Sequence, residues 1–459
     1  MSSIQRPPRE ASFPPPLSGL TADCLGQYFL CAWDTYEWLF SGIDQSSAVL
    51  ERHRPHPFRN TLSFYYGHTA AFTVAKLRMV GLMAEPVAEW DTAMATGVWP
   101  ECAEQIADQS WPPFRVLQGY RREVRDRVME LIHGLRMPER ITQQHPLWAL
   151  LMAIEHEFIH FHLSLPLIRR APLARVSPPM DWNLCGLSPR AGDDGGWHDC
   201  DGGMVAFGRS PEEDHCYGWD NEYGECSVRV PPFRMRRHPV TNGEFLDFVE
   251  DGGYRQRRWW TTPGVDTWFE TLQPSHPVAW VPEDGGYRYR APFQELPMPW
   301  HWPVEVSKHE AAAYAAWSGA RLVREAEFHW VLQQECPDAR TLAARLDAAN
   351  IALDHCSPAP VGTLLPAHSP TGIDCLGNVA LWADGEFQPL NAAQFAPHRL
   401  YPDFSQPWFR GDHSVLLGAS HAALGHMTRI GVMRDFVQNH MDQLAGILLV
   451  QTPDRFHGR

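Results

Sequence analysis

Four stretches in the first third of the chain repeat apolar residues with the spacing of amphipathic helices. They cover residues 20–42, 61–82, 114–135 and 147–165, and one face of each is apolar. Pro166 follows the fourth stretch and is expected to stop or kink that helix, because proline lacks the amide N–H. Four such helices predict a helix bundle, an architecture that builds metal sites from facing helices.

The pattern changes after about residue 175, where glycine, proline and tryptophan become frequent and helical periodicity is lost. Short apolar runs at 204–207 and 415–417 predict strands, and two further helices are predicted at 242–250 and 308–318. The chain is therefore predicted to be of the α+β class. We expect a flexible proline-rich arm at 1–18, the bundle at 19–175, a linker at 176–195 and a second, loop-rich domain at 196–459.

The net charge of the chain limits the classes of partner that it can be expected to bind. Its 459 residues carry a formal net charge of −15, which argues against nucleic acid or an anionic membrane surface as a partner. No segment is apolar over the length that crosses a bilayer, and no apolar signal-peptide segment opens the chain. We therefore expect a cytoplasmic protein with no membrane or nucleic-acid partner, whose ten cysteines are reduced.

Three histidines carry the candidate chemistry. His156 and His160 lie four residues apart on the fourth predicted helix, so both imidazoles leave one face, one turn apart. His68 lies on the second predicted helix, within the run Phe-Tyr-Tyr-Gly-His-Thr at 64–69. A third imidazole from a facing helix would complete a facial triad and leave coordination positions open for substrate and oxygen.

Other interpretations of this pattern stay open. Residues 156–160 match the HExxH motif of zinc peptidases, in which Glu157 would be the general base. The positions of the metzincin extension are occupied by Leu163 and Pro166, so that version of the motif fails, and the chain after Pro166 shows no clear helix for a glutamate ligand. The histidines can also be plain structural residues of a bundle helix. Glu155 and Glu157 would either accept the second ring N–H of a ligand histidine or be solvated helix charges.

Several runs of sequence, in the same order over nearly the whole chain, resemble one known family. They lie at residues 28–37, 65–70, 155–160, 218–224, 241–245, 250–254, 299–306 and 377–379. The chain is similar to the ovothiol-pathway histidylcysteine sulfoxide synthases, which are non-heme iron enzymes with more distant relatives in the ergothioneine pathway. The resemblance implies a DinB-like four-helix bundle followed by a formylglycine-generating-enzyme-like (C-type-lectin-like) domain. We expect the methyltransferase domain that often follows in this family to be lacking.

The resemblance also implies a cofactor and a reaction. His68, His156 and His160 match the ligands of Fe(II), and the substrates would be cysteine, histidine and O2, joined as 5-histidylcysteine sulfoxide. Zinc suits the same ligands but cannot perform a redox step. A different acceptor such as hercynine, a different thiol, and a degenerate binding module without activity stay open as alternatives.

The late part of the chain departs from the family pattern. The resemblance implies a tyrosine of the second domain as a proton or electron donor, and no tyrosine follows Tyr401 here. We therefore predict either a substitute donor or a product richer in cysteine sulfinate. The candidate donors, chosen for their nearness to His68 or to the motif at 218–224, are Tyr65, Tyr66, Tyr217 and Tyr223.

Overall fold

The structure, a computed structural model, describes residues 5–45, 49–96, 111–187, 196–213, 215–366 and 369–452. Part of the predicted linker, residues 188–195, and both chain ends lie outside the described residues. The helices are α1 Ala22–Ser41, α2 Val49–Arg52, α3 Leu62–Met79, α4 Asp91–Thr96, α5 Phe114–His133, α6 Leu147–Arg169, α7 Asn242–Glu250, α8 Val265–Leu272, α9 Lys308–Trp317, α10 Glu325–Glu335 and α11 Ala339–Ala348. None of these is long and apolar enough to cross a membrane.

The four long helices of the first domain form the predicted bundle. Helices α1 and α3 both pack against α5 and α6. Threonine side chains cap the first two: Thr21 Oγ1 accepts from the Cys24 N–H at 3.1 Å, and Thr61 Oγ1 accepts from the Phe64 N–H at 3.4 Å. Each cap satisfies an amide that has no partner inside its helix.

Pro166 does not stop helix α6, which was one of its two expected effects; the proline lies inside the helix, which continues to Arg169. Ion pairs with the second domain hold this last turn. Arg169 Nη2 lies 2.7 Å from Glu305 Oε2, and Arg170 Nη2 lies 2.6 Å from Asp442 Oδ1. These contacts offset the one backbone hydrogen bond that proline removes.

The second domain combines short, mostly antiparallel sheets with helices and long loops. Its strands are β1 Trp197–Cys200, β2 Gly203–Arg209, β3 Gly224–Val230, β4 Phe233–Arg236, β5 Trp280–Glu283, β6 Gly286–Arg290, β7 Glu295–Pro297, β8 Arg321–Leu322, β9 Ala380–Trp382, β10 His413–Leu417, β11 Asp435–Gln438, β12 Ala445–Gly446 and β13 Leu449–Gln451. They form sheets in the orders β1-β4-β13-β8, β11-β10-β9-β12, β5-β6-β7 and β2-β3. The only parallel pair among these strands is β9 with β12.

The two domains share one apolar core. The cluster that fills the bundle also contains buried residues of the second domain, among them Tyr217, Trp219, Ile351 and Leu424. Two further clusters lie wholly beyond the bundle. The bundle interior is therefore closed in part by side chains that come late in the chain.

The proline-rich segment, expected as a flexible arm, contacts the second domain instead of extending from the bundle. Arg6 Nη1 donates to the Leu353 carbonyl at 2.5 Å, and Arg9 Nη2 donates to the Leu346 carbonyl at 3.0 Å. Leu17 is buried in the shared core. These contacts join the start of the chain to both domains.

A buried arginine occupies the middle of the bundle. Arg121 of α5 is fully buried and forms ion pairs with Glu37 of α1, at 2.6 Å, and Glu157 of α6, at 2.8 Å. It also donates to the Tyr66 carbonyl at 3.0 Å and to Thr69 Oγ1 at 2.8 Å, both on α3. One guanidinium thus connects all four helices.

Replacing Arg121 with methionine is expected to lower the free energy of unfolding by about 3–5 kcal/mol, because it leaves Glu157 buried without its cation. Urea unfolding followed by circular dichroism measures this change. The control is Arg127→Met on the same helix, where the exposed pair with Glu123 contributes about 0–1 kcal/mol. Equal losses in the two variants would contradict the role given to Arg121.

Candidate metal centre

The bundle brings the three predicted histidines together. His68 projects from α3, and His156 and His160 project from α6. One ligand nitrogen from each lies within 4.8 Å of the others, and the ring centroids are 4.4–5.1 Å apart. All three are buried, and no carboxylate or thiol among the described residues joins the group.

Hydrogen bonding sets the tautomer of His68. Its Nδ1 lies 2.6 Å from the Met94 carbonyl oxygen of α4, and because a carbonyl only accepts, Nδ1 carries the proton. Nε2 is then the unprotonated nitrogen, with a lone pair for a metal ion. The Nδ1 atoms of His156 and His160 are buried without a hydrogen-bond partner.

The electrostatics of the site keep the imidazoles neutral. Burial lowers the pKa of His68 to about 4. Burial, together with the neighbouring imidazoles, lowers the pKa of His156 and of His160 well below the ordinary value. Neutral imidazole is the form that binds metal ions.

A first-row divalent metal ion fits these donors. Imidazole suits iron, zinc, copper and nickel, and three nitrogen ligands leave positions for small molecules. His68, His156 and His160 are the residues that would hold it. Without a bound cation, the lone pairs of the buried imidazole nitrogens would have no partner, and burying such polar atoms unpaired destabilises the folded protein.

The glutamates beside the histidine pair take neither of the two roles predicted for them. Glu155 accepts from the Tyr28 hydroxyl at 2.5 Å and from the His426 backbone N–H at 2.7 Å. Glu157 forms the ion pair with Arg121. Both are buried, so neither is a solvated charge, and the partner of the His68 ring is a backbone carbonyl. Sequence could not show this, because the partners of Glu155 and Glu157 are distant along the chain.

Tyr65 is the one predicted donor that the structure places at the triad. It lines a cavity together with His68 and His160, and its ring centroid is 5.8 Å from that of His160. Its hydroxyl oxygen accepts from the Asn60 N–H at 3.2 Å. Burial raises its pKa, although Arg59 acts in the opposite direction, so the hydroxyl retains its proton.

The other three predicted donors are not brought to the triad. The Tyr66 hydroxyl donates to Glu37 at 2.6 Å. The ring of Tyr217 packs against Trp148 and Trp219, and the Arg209 guanidinium covers the ring of Tyr223. None of the three lines the two cavities that contain triad histidines.

Tyr401 was not among the predicted donors, although it lies beside the triad. It lines both cavities that contain triad histidines, and its ring centroid is 6.3 Å from that of His156. Phe72 stacks on His156 at 3.7 Å and contacts the Tyr401 ring, and Lys76 Nζ lies 4.4 Å from the centre of that ring. Tyr401 is the last tyrosine of the chain, and this position was the one sequence signal that pointed to it.

Comparison with protein families matches both domains. Residues 200–452, more than half of the chain, match the model described as Sulfatase-modifying factor enzyme 1-like domain. The chain belongs to this family. Residues 29–164 match the DinB superfamily. The predicted fold class and the predicted order of a DinB-like bundle and a formylglycine-generating-enzyme-like domain are thereby confirmed.

Individual relatives match parts of the chain. The chain is 37% identical over 231 residues to a "Hercynine oxygenase" of Mycolicibacterium thermoresistibile, which covers 47% of this chain and 50% of the relative. It is 38% identical over 217 residues to the protein of that name in Mycobacterium tuberculosis, covering 44% and 48%. A "Formylglycine-generating enzyme" of M. tuberculosis is 32% identical over 205 residues, covering 36% and 67%.

The chain spans about half the length of the hercynine oxygenases that it matches. The resemblance to the sulfoxide synthase family predicted from the motifs is confirmed by these relatives together with the two domain matches.

Replacing His68 with alanine is expected to reduce the iron retained after anaerobic loading and desalting by at least roughly tenfold, because one of three ligands is lost. His156→Ala and His160→Ala should behave alike, and far-UV circular dichroism should barely change. The control is His162→Ala on the same helix, whose Nε2 lies 2.7 Å from Ser420 Oγ and which should keep its iron. Full iron content in His68→Ala would refute the three-histidine site.

Proposed function

We propose that this chain is a non-heme Fe(II), oxygen-dependent sulfoxide synthase. In the specific form proposed, it couples a cysteine thiol to an imidazole carbon of histidine and gives 5-histidylcysteine sulfoxide, as in the ovothiol pathway. The observation that carries the proposal is the set of three buried, neutral imidazoles held within 4.8 Å of one another. The relatives named hercynine oxygenase support the reaction class.

The residues around the triad have roles suited to such a coupling. Iron held by His68, His156 and His160 would supply a coordination site for a thiolate and the activation of oxygen. Zinc would offer only the first of these, because it has no redox chemistry. Phe72 and Phe64 pack on His156 and His68 and keep bulk water from that side of the metal centre. Tyr401 and Tyr65 line the cavities and hold hydroxyl protons that can be delivered to a developing oxyanion.

The zinc peptidase alternative loses its general base in this fold. Glu157, the residue that the HExxH interpretation requires, is bound to the buried guanidinium of Arg121. A general base must reach the metal-bound water within hydrogen-bonding distance, whereas no carboxylate among the described residues lies with the three histidine nitrogens. Hercynine as the acceptor is the closer alternative, because the relatives at 37% and 38% identity bear that name.

Protein loaded anaerobically with Fe(II) and then given oxygen, cysteine and histidine is expected to form a product whose mass is the sum of the two substrates, minus two hydrogens and plus one oxygen. The two hydrogens, from the thiol and the ring C–H, leave as water with the second oxygen atom of O2. Liquid chromatography with mass spectrometry detects this product, and hercynine in place of histidine tests the alternative acceptor. Omission of iron or oxygen should abolish the product. Binding of both substrates without any turnover would instead identify a degenerate binding module.

Replacing Tyr401 with phenylalanine is expected to shift the product from coupled sulfoxide towards cysteine sulfinate, because a positioned acid contributes about 10²–10⁴-fold to a proton-transfer step. The same substitution at Tyr65 tests the second hydroxyl of the cavity. Tyr66→Phe is the matched control, because its hydroxyl donates to Glu37 outside the cavities. An unchanged product ratio in both cavity variants would exclude a tyrosine donor at these positions.

A further inference from the structure

Lysine is rare in this chain, and both of its lysines are buried. The sequence contains 37 arginines but only two lysines, Lys76 and Lys308. The ammonium group of each donates to a backbone carbonyl, Lys76 to that of Leu400 and Lys308 to that of Ala383. Lys76 is the one whose contact joins the bundle to the loop that contains Tyr401.

Lys76 lies on a face of α3 that carries two residues of the metal centre. His68, Phe72 and Lys76 follow one another at intervals of four residues, so their side chains leave one side of the helix, about one turn apart. His68 belongs to the triad, and Phe72 stacks on His156 with ring centroids 3.7 Å apart. Lys76 continues this row, and its side chain reaches the second domain.

The ammonium group of Lys76 contacts both the backbone and the ring of the Tyr401 segment. Its Nζ donates to the Leu400 carbonyl at 2.5 Å, which is part of the peptide group that precedes Tyr401. The same atom lies 4.4 Å from the centre of the Tyr401 ring and 4.6 Å from that of Phe72. A cation this close to an aromatic ring is attracted by the ring, most strongly where water is excluded.

Lys76 carries its charge without a carboxylate partner. Only 8% of its surface is exposed, and in the part of the chain that the structure describes no carboxylate forms an ion pair with it. Burial lowers its pKa to about 8, with Asp403 acting in the opposite direction, so most of the group is protonated at pH 7. A buried cation destabilises a fold unless other contacts compensate, and here those contacts are with Leu400, Phe72 and Tyr401.

The position of the Tyr401 hydroxyl depends on these contacts. Among the described residues nothing hydrogen-bonds to this hydroxyl, so its place at the cavities is set by its ring and its backbone. The ring packs on Phe72 and Phe404, and the Tyr401 N–H donates to the His398 carbonyl of its own loop at 2.9 Å. Lys76 adds a contact from the bundle to both parts of the residue.

We propose that Lys76 is a positioning residue for the Tyr401 hydroxyl, and that it holds this second-domain segment against the face of α3 that carries His68. The inference rests on the proposed function, in which the Tyr401 hydroxyl is a proton donor. Because His68 and Lys76 belong to one helix, the contact limits how far Tyr401 can move relative to the triad. The small ammonium group suits a place between two rings, whereas the guanidinium of arginine is planar and broader.

Hydrogen exchange followed by mass spectrometry tests whether Lys76 holds the segment. In Lys76→Met the backbone amides of residues 398–405 should exchange at least roughly tenfold faster than in the wild type, because a charge-assisted hydrogen bond and a ring contact are lost. Lys76→Gln removes the same charge, should change exchange in the same direction, and replaces the methionine variant if that protein does not fold.

Two control variants remove similar contacts elsewhere. Lys308→Met removes the other buried lysine, and neither Lys308 nor Ala383 lines a cavity that contains triad histidines. Arg399→Met removes an exposed contact of the same loop with the bundle, a hydrogen bond of 3.2 Å to the Gln144 carbonyl. Exchange at 398–405 should stay near the wild-type rate in both. Iron content and circular dichroism check the fold of every variant.

The product ratio tests whether the hydroxyl is what Lys76 positions. At unchanged iron content, Lys76→Met should shift the ratio from coupled sulfoxide towards cysteine sulfinate by roughly tenfold or more, in the direction expected for Tyr401→Phe. The double variant should show no further shift, because residues that act through one another are not additive. A general loss of packing would instead lower both products alike.

Each result supports or overturns the proposal. Wild-type exchange rates at 398–405 in the Lys76 variants overturn it, and so does an unchanged product ratio in them. A shift in the double variant that is the sum of the single shifts also overturns it, because Lys76 would then act independently of the hydroxyl. If the wild type forms no sulfoxide, the proposed function is refuted, and the exchange rates alone decide whether Lys76 holds Tyr401 in place.

Discussion

The ion pair between Arg121 and Glu157 is the interaction on which the metal centre depends. Glu157 lies between His156 and the residues leading to His160, so the direction of its side chain sets the rotation of α6 about its axis. With Glu157 held by a guanidinium in the bundle interior, the two imidazoles face the cavity. Arg121 also binds α1 and α3, and therefore aligns the helix that carries His68 with the helix that carries the pair.

The second domain holds helix α6 in place and forms part of the cavity around the histidines. Glu155 of α6 accepts a hydrogen bond from the His426 backbone N–H of the second domain. At the end of α6, Arg169 and Arg170 form ion pairs with the second domain. Between these anchors the second domain contributes Tyr401 and Asp435 to the cavity walls. The bundle thus supplies the metal ligands and the second domain supplies much of the surface that a substrate would contact.

The parts of this structure that depend on local spacing could be predicted from sequence. The four helices follow from their apolar periodicity, and the approach of His156 to His160 follows from a separation of one turn. That His68 would face the pair came from a family resemblance and not from spacing. The partners of Glu155 and Glu157 and the nearness of Tyr401 to His156 depend on how distant segments pack. No periodic pattern encodes such contacts, because tertiary packing alone decides them.

The shared core has a consequence for how the protein is made. During synthesis the bundle leaves the ribosome long before Ile351 and Leu424, which help to cover its apolar surface. Domains generally fold in order from the N-terminus, and exposed apolar surface on an early intermediate promotes aggregation. A nascent chain that has not yet reached these residues therefore lacks part of the apolar wall around the three histidines. The metal centre is complete only when segments more than 180 residues beyond His160 have packed against the bundle.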